Sequence, residues 1–210
     1  MRFVQKMTIG VASLLAPVLM SAPAHAATII GGGTSVKLTA APTLTGLGLS
    51  FATFGSSSAT VDAMGIPTAT FLITGGSIND VTGTALIEHN GSGLNFTGGG
   101  NALSIGDFLI NTTTNVLSGK VVIGATTLTG VPLFNIGSGL SLSLTSEAAG
   151  AFTTVFGAPD LTGAAIGTAA VNAVSVPVPE PGTWGMLILG FGVVGIALRS
   201  RQRKMVMQTC

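Results

Sequence analysis

The 210-residue sequence predicts a mainly β fold, an antiparallel sandwich or barrel with one short helix, set between a helical N-terminal leader and an apolar C-terminal helix. Two kinds of observation predict the β body. Leu140, Leu142 and Leu144 alternate with polar neighbours at period two, as does Val36-Lys37-Leu38, which puts each apolar set on one face of a half-buried strand. Segments 48–54, 68–74, 84–89, 93–97, 102–111 and 115–123 are rich in Thr, Val, Ile, Leu and Phe, and Gly75-Gly76, Asn79-Asp80, Asn90-Gly91 and Gly98-Gly99-Gly100 punctuate them as turns. A third observation predicts the flanks: six of the eight basic residues, Arg2, Lys6, Arg199, Arg201, Arg203 and Lys204, lie beside two terminal apolar runs.

Taken from the N-terminus, Arg2 and Lys6 precede a largely apolar stretch from Met7 to Met20, and Ala24-His25-Ala26 then satisfies the small-x-small rule for cleavage before Ala27. Residues 1–26 therefore read as a secretory signal peptide, which makes the Sec-type export machinery and signal peptidase expected partners. Residues 27–176 form the expected β-rich extracytoplasmic domain. Its period-two pattern breaks at Ser146–Phe156, where Ser146 is a candidate N-cap, Glu147 a first-turn acid and Gly157 a stop, so a short helix is expected there. From Ala158 to Val178 small residues lead through a last strand into an extended linker. Short Gly- and Thr-rich rungs could also build a β-helix, the alternative architecture, although no period of the usual repeat lengths is visible.

The C-terminal segment has the physics of an anchor. Trp184 to Leu198 is free of charge and, at about 1.5 Å per residue, covers roughly 22 Å against a hydrocarbon core of about 30 Å. Counting from Pro181 lengthens it to roughly 27 Å, a marginal span. Trp184 stands where an interfacial aromatic belongs, and Arg199, Arg201, Arg203 and Lys204 fix the following end in the cytoplasm by the positive-inside rule. Residues 205–210 would extend beyond it in the cytoplasm.

Pro179-Glu180-Pro181, Trp184, Met186, the Gly190-Phe191-Gly192 run and the arginines after it, in that order, resemble the PEP-CTERM sorting tail of Gram-negative bacteria, also found on some ice-binding proteins. The resemblance covers residues 177–204, with the membrane helix at about 181–198 and the basic end at 199–204. It implies recognition by exosortase, transient anchoring in the inner membrane, cleavage near Pro179–Pro181 and transfer to the cell surface or an exopolysaccharide matrix. Gly185 replaces the commoner alanine, and the extension from Met205 to Cys210 is longer than usual.

Charge and composition narrow what the body can do. Residues 27–178 carry two bases, Lys37 and Lys120, against six acids, a net charge of about −4. So acidic a surface has no electrostatic footprint for nucleic acid and disfavours anionic membranes. The single cysteine, Cys210, excludes an intrachain disulfide, and the chain has no tyrosine. His89 is the sole histidine after the leader, too little for a zinc site, and neither a Gly-x-Ser-x-Gly elbow nor an Asp-x-Asp calcium loop accompanies His89, Asp80 or Asp107. Glu88 would point to the opposite strand face from His89. The expectation is a domain without catalytic residues, metal or cofactor.

The body has a resemblance of its own. Gly75-Gly76, His89-Asn90-Gly91-Ser92-Gly93-Leu94 and Leu142-Ser143-Leu144-Thr145 before the short helix are similar in order to HtaA-type surface domains, some of which bind haem. That family ligates haem iron through tyrosine, which this chain lacks, leaving His89 as the only substitute. The reading is a surface or matrix protein with a structural or interaction role. Its alternative is a ligand-binding surface domain for haem, carbohydrate or ice.

Overall fold

The computed structural model describes residues 26–79 and 81–177, and beyond them positions 184–185, 187–192, 194–195 and 198–199. Ala24, Pro179, Glu180, Pro181, Met186, Arg201, Arg203, Lys204 and residues 205–210 lie outside the described residues, as does the leader up to His25. Trp184 and Arg199 are described, and both are helical. No helix among the described residues is long and apolar enough to cross a membrane.

Among the described residues eleven strands run in chain order: β1 Ala26–Lys37, β2 Ser50–Gly55, β3 Ser58–Val61, β4 Pro67–Leu72, β5 Gly75–Asn79, β6 Ala85–Gly98, β7 Asn101–Asn111, β8 Val116–Ile123, β9 Thr126–Ile136, β10 Ser141–Leu144 and β11 Ala165–Pro177. Helix α1 (Ala41–Gly46) follows β1, and α2 (Ser146–Phe156) follows β10. Every pairing is antiparallel, which rules out the parallel rungs of a β-helix.

The path from β11 through β10, β9, β8, β7, β6 and β5 reaches β1, and β1 pairs back onto β11 over Ala27↔Pro177 to Lys37↔Thr168. Eight strands thus close a barrel. Closure removes the unpaired edges that a flat sheet of this length would offer to other chains. Because β5 is short, it meets only Ala26–Thr28 of β1 and Gly75↔Glu88 to Ile78↔Ala85 of β6. Beyond it the wall forks, β4 continuing along β1 and β2 along β6. The edges that remain are β2, which pairs only with β6, β3, which is four exposed residues, and the Ala169–Pro177 half of β11, which pairs only with β1.

Inward positions alternate along each strand as the pleat requires. Ile29 and Val36 of β1 and Leu38 just after it, Ile87, Leu94 and Phe96 of β6, Leu103, Ile105, Phe108 and Ile110 of β7, and Leu142 and Leu144 of β10 join one core. The ends of the barrel differ. At the end of the β6–β7 hairpin, α2 lays Ala148, Ala149 and Phe152 into the core and α1 adds Ala41 and Leu44. The ring of Phe152 meets that of Phe96 edge-on, centroids 5.0 Å apart. At the opposite end, where β1 begins and β11 stops, no α-helix among the described residues covers the opening, and a single 3-10 turn, Ser138–Leu140, lies beside it.

The structure corrects several local readings. Helix α2 is capped by Thr145, not Ser146: Thr145 is extended and its Oγ1 accepts from the Ala148 N–H at 3.2 Å, while the Ser146 hydroxyl turns to Glu147. Gly157 ends the helix in the left-handed region, φ 64°. Gly75-Gly76 lies inside β5 instead of a turn. Asn90-Gly91 is a bulge in one long strand, β6, that joins the two segments expected at 84–89 and 93–97. Strands β3 and β9 had no expected counterpart, because the exposed Thr126–Gly130 half of β9 shows no two-sided alternation.

Candidate functional site

His89 is 1% exposed and points into the barrel from β6, while Glu88 beside it faces outward, as the strand period dictates. Its Nδ1 lies 3.4 Å from the Phe108 carbonyl oxygen, which can only accept, so Nδ1 carries the proton. Nε2, 2.8 Å from Thr34 Oγ1, then accepts from that hydroxyl. Thr34 comes from β1 and is itself buried, so the pair ties β6 to β1, its neighbour but one around the wall, from inside the barrel. Burial is the main influence on the imidazole and holds its pKa below the ordinary histidine value, with the Phe108 contact acting weakly the other way. A neutral ring with both nitrogens engaged has no lone pair left to offer iron.

Asp107 is engaged away from His89. It sits at a β7 bulge with φ 48°, accepts from the Gly91 N–H at 2.7 Å and forms an ion pair with Lys120. The Lys120 contact first, then the Gly91 N–H, hold its carboxyl below the usual carboxylate range. Its chemistry is therefore structural: it locks the β7 bulge against the one in β6. Gly93 completes this corner, since a Cβ there would lie 2.2 Å from the Ile105 carbonyl oxygen and 2.5 Å from the Phe54 ring. Among the described residues, no three His, Cys, Asp or Glu side chains gather where they could hold a metal ion.

What the sequence did not reveal is a space. At the uncovered end the lumen holds a cavity of about 340 Å³ lined by residues that include Ile29, Ile78, Ile87, Ile136, Leu140, Val171 and Ala173. A second void of about 60 Å³ lies beside His89, Phe71 and Phe108, and the two share Thr34, Val36, Ile110, Leu117 and Leu142. The cause can be read from β11, whose inward positions along the cavity are Ala169, Val171 and Ala173. Side chains this small leave one wall of the barrel unfilled. Sealed and empty, such a void would cost on the order of 8 kcal/mol at about 24 cal/mol per Å³, comparable with the whole stability of an ordinary domain.

The lining has few polar atoms, and those are engaged. Thr34 bonds to His89, and Thr112 Oγ1 accepts from the Ala85 N–H at 2.7 Å. No buried side-chain nitrogen or oxygen among the described residues lacks a partner. Leu140, at the mouth, has φ 57°, a left-handed conformation that is costly for a branched side chain and that follows Gly139 at φ 66°.

Residues 177–204 match the family model of the PEP-CTERM protein-sorting motif. That motif implies an exported protein with exosortase as its processing partner. Among solved structures, the chain is similar to the C-terminal domain of HtaA from Corynebacterium glutamicum, with 16% identity, 71% of this chain and 99% of that chain covered, and a TM-score of 0.51. At this identity the likeness is one of fold. No curated protein matches the chain.

Proposed function

We propose that this chain is an exported protein, cut before Ala27 by signal peptidase, held briefly in the inner membrane by its C-terminal helix and released by exosortase to the cell surface or an exopolysaccharide matrix. There the barrel has a structural or interaction role and no enzymatic one. The observation that carries the reading is the sorting motif at 177–204, which begins where β11 ends. Its basic end, Arg199 to Lys204, would serve as the cytoplasmic stop. The engagement of His89 and Asp107 in structural contacts supports a barrel without catalytic chemistry.

Glu180→Ala tests the sorting step. Export should persist while a larger, membrane-retained form accumulates, seen by fractionation and intact mass, and N-terminal sequencing of the exported form should begin at Ala27. Unaltered processing and release would refute exosortase recognition of the motif. A ligand-binding role is the second reading, favoured by the cavity at the uncovered end of the barrel.

A further inference from the structure

We infer that the lumen is a binding site for a small molecule with a hydrocarbon chain, entered through the end of the barrel where β1 begins and β11 stops. The inference concerns what the barrel holds and stands whether or not the tail is processed. Eight-stranded barrels have interiors that are either just filled by side chains or left able to hold one small ligand. This one keeps a void of about 60 Å³ at its helix-covered end, among Leu44, Phe96 and Phe152, and a larger one at the other. A cavity of about 340 Å³ falls at the low end of the range for small-molecule pockets, roughly 300–1,000 Å³.

The lining decides the ligand's chemistry. Thr34 and Thr112 are the polar residues along it, and both hydroxyls are engaged by the protein, so a polar ligand would surrender its water without finding new partners. The lining does not select a headgroup. The two bases of the body are committed elsewhere, Lys37 to Asp62 at 3.0 Å and Lys120 to Asp107, whereas cleavage before Ala27 would leave an α-ammonium group where β1 begins. Leu140, held in a left-handed conformation at the opening, places an apolar side chain against the entering molecule.

The test uses the exported protein as its cells release it, with 1-decanol as the probe. Decanol should bind saturably by calorimetry and raise the melting temperature, as any ligand specific to the folded state must. Ala173→Phe puts a ring into the lumen and should weaken decanol binding at least tenfold, whereas Val174→Phe, on the exposed outer face of the same strand, should leave it unchanged. Circular dichroism of both variants checks that the barrel has formed. The inference is overturned if the unmodified protein does not bind decanol, if folded Ala173→Phe binds it as well as Val174→Phe does, or if haemin displaces decanol with a shifted Soret band.

Discussion

The two ends of the barrel are built from the same strands and reach opposite solutions. At one end large residues converge: Phe96 and Phe152 meet edge-on, with Leu44, Leu49 and Leu103 buried around them. At the other, Ile78, Ala85, Ile136, Val171 and Ala173 also face inward, yet each is only partly buried. Closing a sheet into a barrel pairs strands around a lumen, but it does not fill the interior. Filling needs either bulky side chains or a helix laid across the opening, and the described residues supply both at one end only.

The largest expected break in that comparison is Phe152→Ala. It removes a buried ring from the sealed end and should destabilise the protein by about 3–5 kcal/mol in urea unfolding, whereas Ile136→Ala at the open rim, already partly exposed, should cost only about 1 kcal/mol. Equal costs would mean that the open end is packed as tightly as the closed one. Next comes the seam. A Cβ on Gly167 would lie 1.9 Å from the Lys37 carbonyl oxygen, so Gly167→Ala must push β11 off β1. A loss of about 1–3 kcal/mol is expected, with hydrogen exchange accelerated along β1 and β11 before the other strands.

The pH dependence sharpens the comparison at its middle, where His89 of β6 meets Thr34 of β1 inside the barrel. The folded imidazole binds its proton less readily than the unfolded one, through burial. Stability is thus complete above the unfolded value of about 6.5 and falls with pH from there down to the lower folded pKa, because the unfolded state takes up the proton first. Urea midpoints measured between about pH 7.5 and 5 should decline in the wild type and stay flatter in His89→Leu. A decline of equal slope in the variant would assign the effect to other groups. The smallest effect is expected outside the barrel wall, where Lys120→Ala should cost under about 1 kcal/mol because the pair with Asp107 is partly exposed. Its contribution should shrink further in high salt, while the bulge persists through the bond from Gly91 to Asp107.

Much of this was legible in the residues themselves. Period-two alternation identified β10 and the C-terminal part of β1, and six turn-bounded apolar segments anticipated the regions of β2, β4, β6, β7 and β8. The loss of that period located α2 to within a residue, missing only that the extended Thr145, one place earlier, could reach the Ala148 N–H. The sorting motif was readable without any structure because its signal is carried by local order: a proline-flanked acid, an apolar run and a basic end. Sequence also placed Glu88 and His89 on opposite strand faces, since alternation is a property of the backbone alone.

What the sequence could not determine is everything that depends on which strands meet across the barrel. The pairing of β1 with β11 joins residues more than a hundred positions apart, and only that pairing closes the ring. Likewise, no local pattern shows that Thr34 would engage His89, or that Asp107 would turn to Gly91 and Lys120. The cavity is of the same kind. Ala169, Val171 and Ala173 read locally as an ordinary small-residue strand, and they become the wall of an unfilled lumen only because no facing strand carries a side chain long enough to reach them. Local composition sets which faces are apolar, whereas the volume between those faces is a property of the closed barrel and is decided by tertiary structure.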